Sequence, residues 1–352
     1  YSTTFYQCLT SRGFKKVTKN TNLNDLAYDY IFTEWSKAKN AGLEAIPSNK
    51  QVLMKLIDDP KDPITDSKVE LGKKLYFDPR LSRSNLISCN TCHNLALGGA
   101  DAVPAAIGHG WTANPHHLNS PTVYNSVFFK AQFWDGRSPH LADQAAGPIQ
   151  AGPEMAAPPA LVVERINSIP AYVEEFKKAY GKDVKVDFDK ITGAIATFEK
   201  TLVTPSRFDK FLSGDTKALT KEEQEGLTTF LNKGCTACHT GIALGGTMQP
   251  FQVANKYKFI TVGDFKGDEN GMVKTPTLRN ITETAPYFHN GQIWSLADAV
   301  KEMGSVQLGI NISDDDAAKI VTFLKALKGT KPAITYPQLP ESTDSTPKPS
   351  FD

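Results

Sequence analysis

Residues 88–99 read SCNTCHNLALGG and residues 234–246 read GCTACHTGIALGG. Both strings carry C-x-x-C-H followed shortly by A-L-G-G. The first supplies Cys89, Cys92 and His93; the second supplies Cys235, Cys238 and His239. C-x-x-C-H is an attachment signature for c-type haem: two thiols bond to the haem vinyl groups and the histidine binds iron. A zinc ribbon needs two C-x-x-C pairs fairly close in sequence, and these lie in opposite halves of the chain. A redox dithiol needs a βαβ setting, which neither pair has. The chain is therefore expected to hold two covalently bound haem c groups, with His93 and His239 as proximal iron ligands.

Working outward, each signature follows a helical pattern. Thr220 and Glu223 form a capping box, and Leu227, Phe230 and Leu231 recur at helical spacing. Val69, Leu71, Leu75 and Tyr76 precede the first signature with weaker periodicity. Each half also closes on an amphipathic stripe: Ile191, Ile195, Phe198 and Leu202 in the first, Ile320, Phe323, Leu324 and Leu327 in the second. Ser313 with Asp316 marks the start of that last helix. The fold class is mainly α, in two units. Residues 1–49 form an extension without an assigned role. The first haem domain spans 50–204, and the join falls near Thr204-Pro205, where the helix must stop. The second haem domain spans 205–330. The tail 331–352, rich in Pro, Ser and Thr, is extended, either loose or laid against the first domain.

The 352 residues carry a formal net charge of +1, which gives no general bias toward nucleic acid or acidic membranes. No stretch is long and apolar enough to span a bilayer. The chain starts at Tyr1 and not at Met, as expected of a processed or truncated chain, from which an export signal could have been removed. Of the five cysteines, Cys8 stands outside both signatures and reads as incidental.

The sixth iron position decides the chemistry: methionine opposite histidine raises the potential, whereas a labile position admits peroxide. The remaining histidines are His109, His116, His117, His140 and His289; the methionines are Met54, Met155, Met248, Met272 and Met303. Spacing alone does not choose among these ten. His109 is attractive because glycines flank it in IGHGW. Met303 lies far enough beyond His239 to reach the opposite haem face; Met248 is less suited, being close to His239 in sequence.

The strings SCNTCHNL, IGHGW, NSPTVYN, QFWDGRSPHLADQAAGPI, KTPTLRN, TAPYFHNG and EMGSVQLG, in that order, resemble the bacterial diheme cytochrome c peroxidase family over roughly residues 50–335. The resemblance implies two cytochrome c-like haem domains with long irregular loops, and a calcium ion at their interface. It implies a peroxidatic N-terminal haem with His93 proximal and His109 as a displaceable distal ligand. It implies a high-potential C-terminal haem held by His239 and Met303. Trp134 matches the family tryptophan between the haems, Gln144 and Glu154 the distal-pocket pair, and Asn119, Thr284 and Pro286 the calcium site. The expected activity is reduction of hydrogen peroxide to water in the periplasm. Electrons would come from a small cytochrome c or a copper protein, and reduction of the high-potential haem would release His109. Nucleic acid and membrane spans are not expected, and family members often form homodimers. Two rivals remain. The related methylamine-utilisation family modifies tryptophans of a partner protein, but has tyrosine where Met303 stands. A plain electron carrier would not need the QAAGPIQAGPE pocket.

Overall fold

The computed structural model describes residues 34–351. Cys8 lies outside the described residues. The regular structure is almost wholly helical. In chain order come α1 (Glu34–Asn40), α2 (Lys50–Ile57), α3 (Asp66–Phe77), α4 (Cys89–Cys92), α5 (Leu141–Gln150), α6 (Pro159–Asn167), α7 (Pro170–Tyr180) and α8 (Phe188–Lys200). Then follow α9 (Arg207–Leu212), α10 (Lys221–Asn232), α11 (Leu296–Met303) and α12 (Asp314–Lys325). Among the described residues the one sheet is an antiparallel ribbon of β1 (Met248–Pro250) and β2 (Met272–Lys274). Long irregular segments connect these elements.

Both halves repeat one arrangement. α3 starts at Thr65, whose hydroxyl accepts from the Lys68 amide, and packs across α8. α10 starts at the Thr220–Glu223 capping box and packs across α12, which starts at Ser313. A glycine sits at each crossing. A Cβ placed on Gly72 would lie 1.9 Å from the Ala194 carbonyl oxygen; one placed on Gly226 would lie 2.1 Å from that of Lys319. Only a residue without a side chain lets the backbones approach so closely.

The cores follow the expected stripes. Leu71, Leu75 and Tyr76 meet Ile191, Ile195, Phe198 and Leu202 in the first domain. Leu227 and Phe230 meet Ile320, Phe323, Leu324 and Leu327 in the second. Tyr76 and Phe198 rings meet at 5.3 Å between centroids, as do those of Phe230 and Phe323. Removing one such buried ring typically costs about 3–5 kcal/mol.

The chain ends cross over. Residues 34–46, within the extension without an assigned role, contribute Ala38 and Leu43 to the second core, because α1 lays its small apolar side on α10. Fully buried Arg279 fastens this segment: it pairs with Asp209 at 2.8 and 3.0 Å and donates to the Glu44 carbonyl at 3.3 Å. Asp209 in turn accepts from the Ile46 amide at 2.8 Å. The C-terminal tail lies along the first domain. There, fully buried Arg165 donates to the carbonyls of Arg80, Ser82, Arg83, Pro347 and Lys348.

Candidate functional site

α4 is a single turn, held by a capping box between Ser88 and Thr91 and ended by His93. Cys89, Cys92 and His93 thus share one turn. His93 Nδ1 lies 2.9 Å from the Pro121 carbonyl oxygen, and the His93 carbonyl accepts from the Tyr76 hydroxyl at 2.6 Å. In the second half Cys235–Ala237 form a short 3-10 turn, and His239 Nδ1 lies 3.1 Å from the Leu244 carbonyl oxygen. An imidazole whose Nδ1–H is engaged by a carbonyl presents Nε2 to a metal. Burial lowers the pKa of both histidines, which keeps them neutral and able to ligate. No disulfide joins the four cysteines of the two signatures, so each sulfur is available to a covalent partner.

Each turn opens into its own cleft. The His93 cleft holds about 1240 Å³ and the His239 cleft about 1640 Å³, open mouths included. A thiol pair, an oriented imidazole and a cleft recur in both halves, a donor set that fits a covalently attached porphyrin.

The walls differ. Phe230, Phe251, Val300, Ile320 and Leu324 line the His239 cleft, together with Met303 at the end of α11. Gly304–Leu308 then widens into a π-turn, an irregularity common at functional positions. Met155 lines the other cleft, and neither cleft is lined by Met54, Met248 or Met272.

The His93 cleft has a polar side. Gln144 of α5 and Glu154 line it. Glu154 Oε1 accepts from Asn114 Nδ2 at 3.4 Å. Burial raises the Glu154 carboxyl, with Arg137 and His116 offsetting part of the rise. His109 sits in a tight loop whose backbone amide at that residue donates to the Glu154 carbonyl at 2.7 Å. Its Nδ1 is buried without a hydrogen-bond partner. Ile107 and Gly108 line the cleft; the His109 side chain does not.

Trp134 lines both clefts and donates from Nε1 to the Asn119 carbonyl at 2.9 Å. Its ring meets buried His289 edge-on at 6.4 Å. Burial lowers His289 to about 4, so this ring is neutral. His116 pairs with Asp264, His117 meets Gln292, and His140 caps α5. Asn119 Nδ2 donates to the Pro286 carbonyl at 2.7 Å and to that of Phe288 at 3.1 Å. Thr284 and Pro286 line the same cleft as Asn119. These three residues are thus close together, with the Asn119 amide nitrogen facing the Pro286 carbonyl.

Sequence reading passed over Asn114, Glu199 and Lys274. Glu199 lines the His93 cleft from α8, with Oε2 buried and unpartnered, and burial raises its carboxyl to about 8. Its signal was present: Glu199 continues the row Ile191–Ile195 at i+4, where an apolar residue belongs. Lys274 lines both clefts and opens the KTPTLRN string.

Two C-x-x-C-H turns, each with an oriented histidine beside an open cleft in a mainly helical frame, define a diheme c-type cytochrome. The di-haem cytochrome c peroxidase family profile matches residues 66–217, and a cytochrome c profile matches 223–328. The chain is 50% identical over 302 residues to cytochrome c551 peroxidase of Pseudomonas aeruginosa, covering 82% of this chain and 86% of that protein. It is 47% identical over 288 residues to cytochrome c551 peroxidase of Nitrosomonas europaea, covering 79% and 85%. A solved MauG-like protein associated with microbial copper homeostasis shares the fold, with a TM-score of 0.67 at 24% identity over 77% of this chain and 92% of that one. The chain belongs to the diheme cytochrome c peroxidase family: it is an oxidoreductase that acts on peroxide and carries two haem c groups.

Proposed function

We propose that this enzyme reduces hydrogen peroxide in the periplasm at the His93 cleft, with electrons that enter at the His239 cleft from a small c-type cytochrome or copper protein. The contrast between the cleft walls carries this reading: Glu154 and Gln144 in one, Met303 in the other. Cys89, Cys92 and His93 hold one haem; Cys235, Cys238, His239 and Met303 hold the second. When bound, the two haems supply the electrons and the iron that break the peroxide O–O bond.

The protein supplies the proton path. Glu154 takes the proton from one peroxide oxygen and returns it to the other, which leaves as water. Two electrons and two protons in all convert one peroxide to two waters. Burial raises the Glu154 carboxyl, which favours a group able to hold the proton between the two transfers. Gln144 orients peroxide by hydrogen bonding and stabilises the charge that develops as the bond breaks. Trp134, on both walls, lies on the electron path between the clefts.

His109 would be the gate: its side chain lies outside the lining of the His93 cleft here, while Ile107 and Gly108 of the same loop line it, so movement of that loop on reduction at the His239 side would decide whether the imidazole blocks the cleft or leaves it open to peroxide. The His109 amide bonds the Glu154 carbonyl, so loop movement and the proton-carrying residue are mechanically linked. Asn119 with the carbonyls of Thr284 and Pro286 would suit calcium, a hard cation, once the Asn119 side chain turned its oxygen toward the site in place of the amide nitrogen that here donates to the Pro286 carbonyl. Stopped-flow mixing of fully oxidised protein with peroxide tests the gate. The parent protein should react slowly until half-reduced, and His109→Gly should react fast without prior reduction. A His109→Gly protein that still needs reductive activation places the gate elsewhere.

A further inference from the structure

Lys274 ends β2, and its backbone amide donates to the Trp134 carbonyl at 2.7 Å. This fixes it beside Trp134, one of the residues that line both clefts, and Lys274 is another. Its side chain is almost wholly buried, with the residue 4% exposed. Among the described residues no carboxylate lies within ion-pair distance of its Nζ, which sits over the Phe129 ring, 4.8 Å from the centroid. Asp135, the nearest acidic influence, is bonded to Arg137 at 2.8 and 2.9 Å. A buried ammonium without a counter-charge is costly, and buried charges in folded proteins are paired. Burial alone drags Lys274 to about 7, so the polypeptide by itself does not hold it firmly charged.

The missing partner is an anion that enters the clefts. Haem is a dicarboxylate, and the cysteine bonds occupy its vinyl groups, not its acid groups. We propose that Lys274 is a positioning residue: its ammonium pairs with haem carboxylate at the boundary of the two clefts and raises the potential of the haem it serves. This rests on the two-haem reading above. A fixed positive charge there favours the reduced, less positive iron. It also explains why a lysine stands where an apolar residue would cost less.

The test is spectroelectrochemical titration of the holoprotein, with haem content measured by pyridine haemochrome. In Lys274→Met with two haems retained, at least one potential should fall, and Lys274→Arg should return it toward the parent value. Lys274→Gln keeps a hydrogen-bond donor without charge, on a side chain one bond shorter; it should show the same fall, and it decides the matter if the methionine variant does not load haem. A residue that only fills space would leave both potentials unmoved in Met and Gln variants, and that result overturns the proposal. A parent protein with fewer than two haems would instead overturn the two-haem reading.

Discussion

The His93 and His239 clefts start from the same turn and end in different chemistry. Each has two thiols, an imidazole fixed through Nδ1 by a backbone carbonyl, and an opening helix that crosses a closing helix at a glycine. What differs is the lining. The His239 cleft has Phe230, Phe251, Val300 and the thioether of Met303; the His93 cleft has the Glu154 carboxyl and the Gln144 amide. The shared parts build a haem holder. The unshared parts divide the labour, since axial ligand and cleft polarity set whether an iron relays electrons or admits an oxidant.

The sharpest way to break the comparison is to remove the polar wall. Glu154→Gln should keep both haems and lower turnover by about 10²–10⁴-fold, the usual worth of a positioned acid-base group. The parent enzyme should also gain activity with rising pH as Glu154 loses its proton, through a pKa above the ordinary carboxylate range because burial raises it. The variant should lose that acid limb. Steady-state peroxide assays across pH check both points, and near-normal turnover would remove Glu154 from the mechanism.

Changing the thioether wall makes the halves more alike. Met303→His should lower the His239 haem potential by on the order of 0.1–0.3 V, a fraction of the ~0.8 V that axial ligands command. Redox titration measures it, and an unchanged potential means that another residue ligates that iron.

The smallest effects concern the fasteners. Arg279→Met strands Asp209 as a buried charge and should cost about 3–5 kcal/mol. Arg165→Met leaves carbonyls without a donor but strands no charge, and should cost about 1–3 kcal/mol. Chemical denaturation of the two holoproteins compares them; equal losses would mean that the buried ion pair adds nothing beyond its hydrogen bonds.

Legibility followed the same divide. Periodic stripes named α3, α8, α10 and α12 in the sequence because their cores are built from neighbours three and four residues apart. The haem-binding turns were legible because attachment demands a fixed local spacing. Met303 and His109 could not be chosen by spacing, since a sixth ligand arrives across a cleft from a distant segment. The structure narrows the methionines, with Met303 on the His239 cleft and Met248 outside it. Lys274 escaped notice because one lysine in a loop-rich stretch reads as surface until its burial is known. The fastening of residues 34–46 by Arg279 was hidden for the same reason: its partners are separated from it by much of the chain.

Low-temperature electron paramagnetic resonance of the oxidised and half-reduced holoprotein reaches the central claim most directly. Two unlike ferric signals should appear in the oxidised form. Adding one electron should erase the histidine–methionine signal and alter the line shape of the one that remains. Two matching signals that fade together on reduction would contradict a molecule built from one relay and one reactive centre.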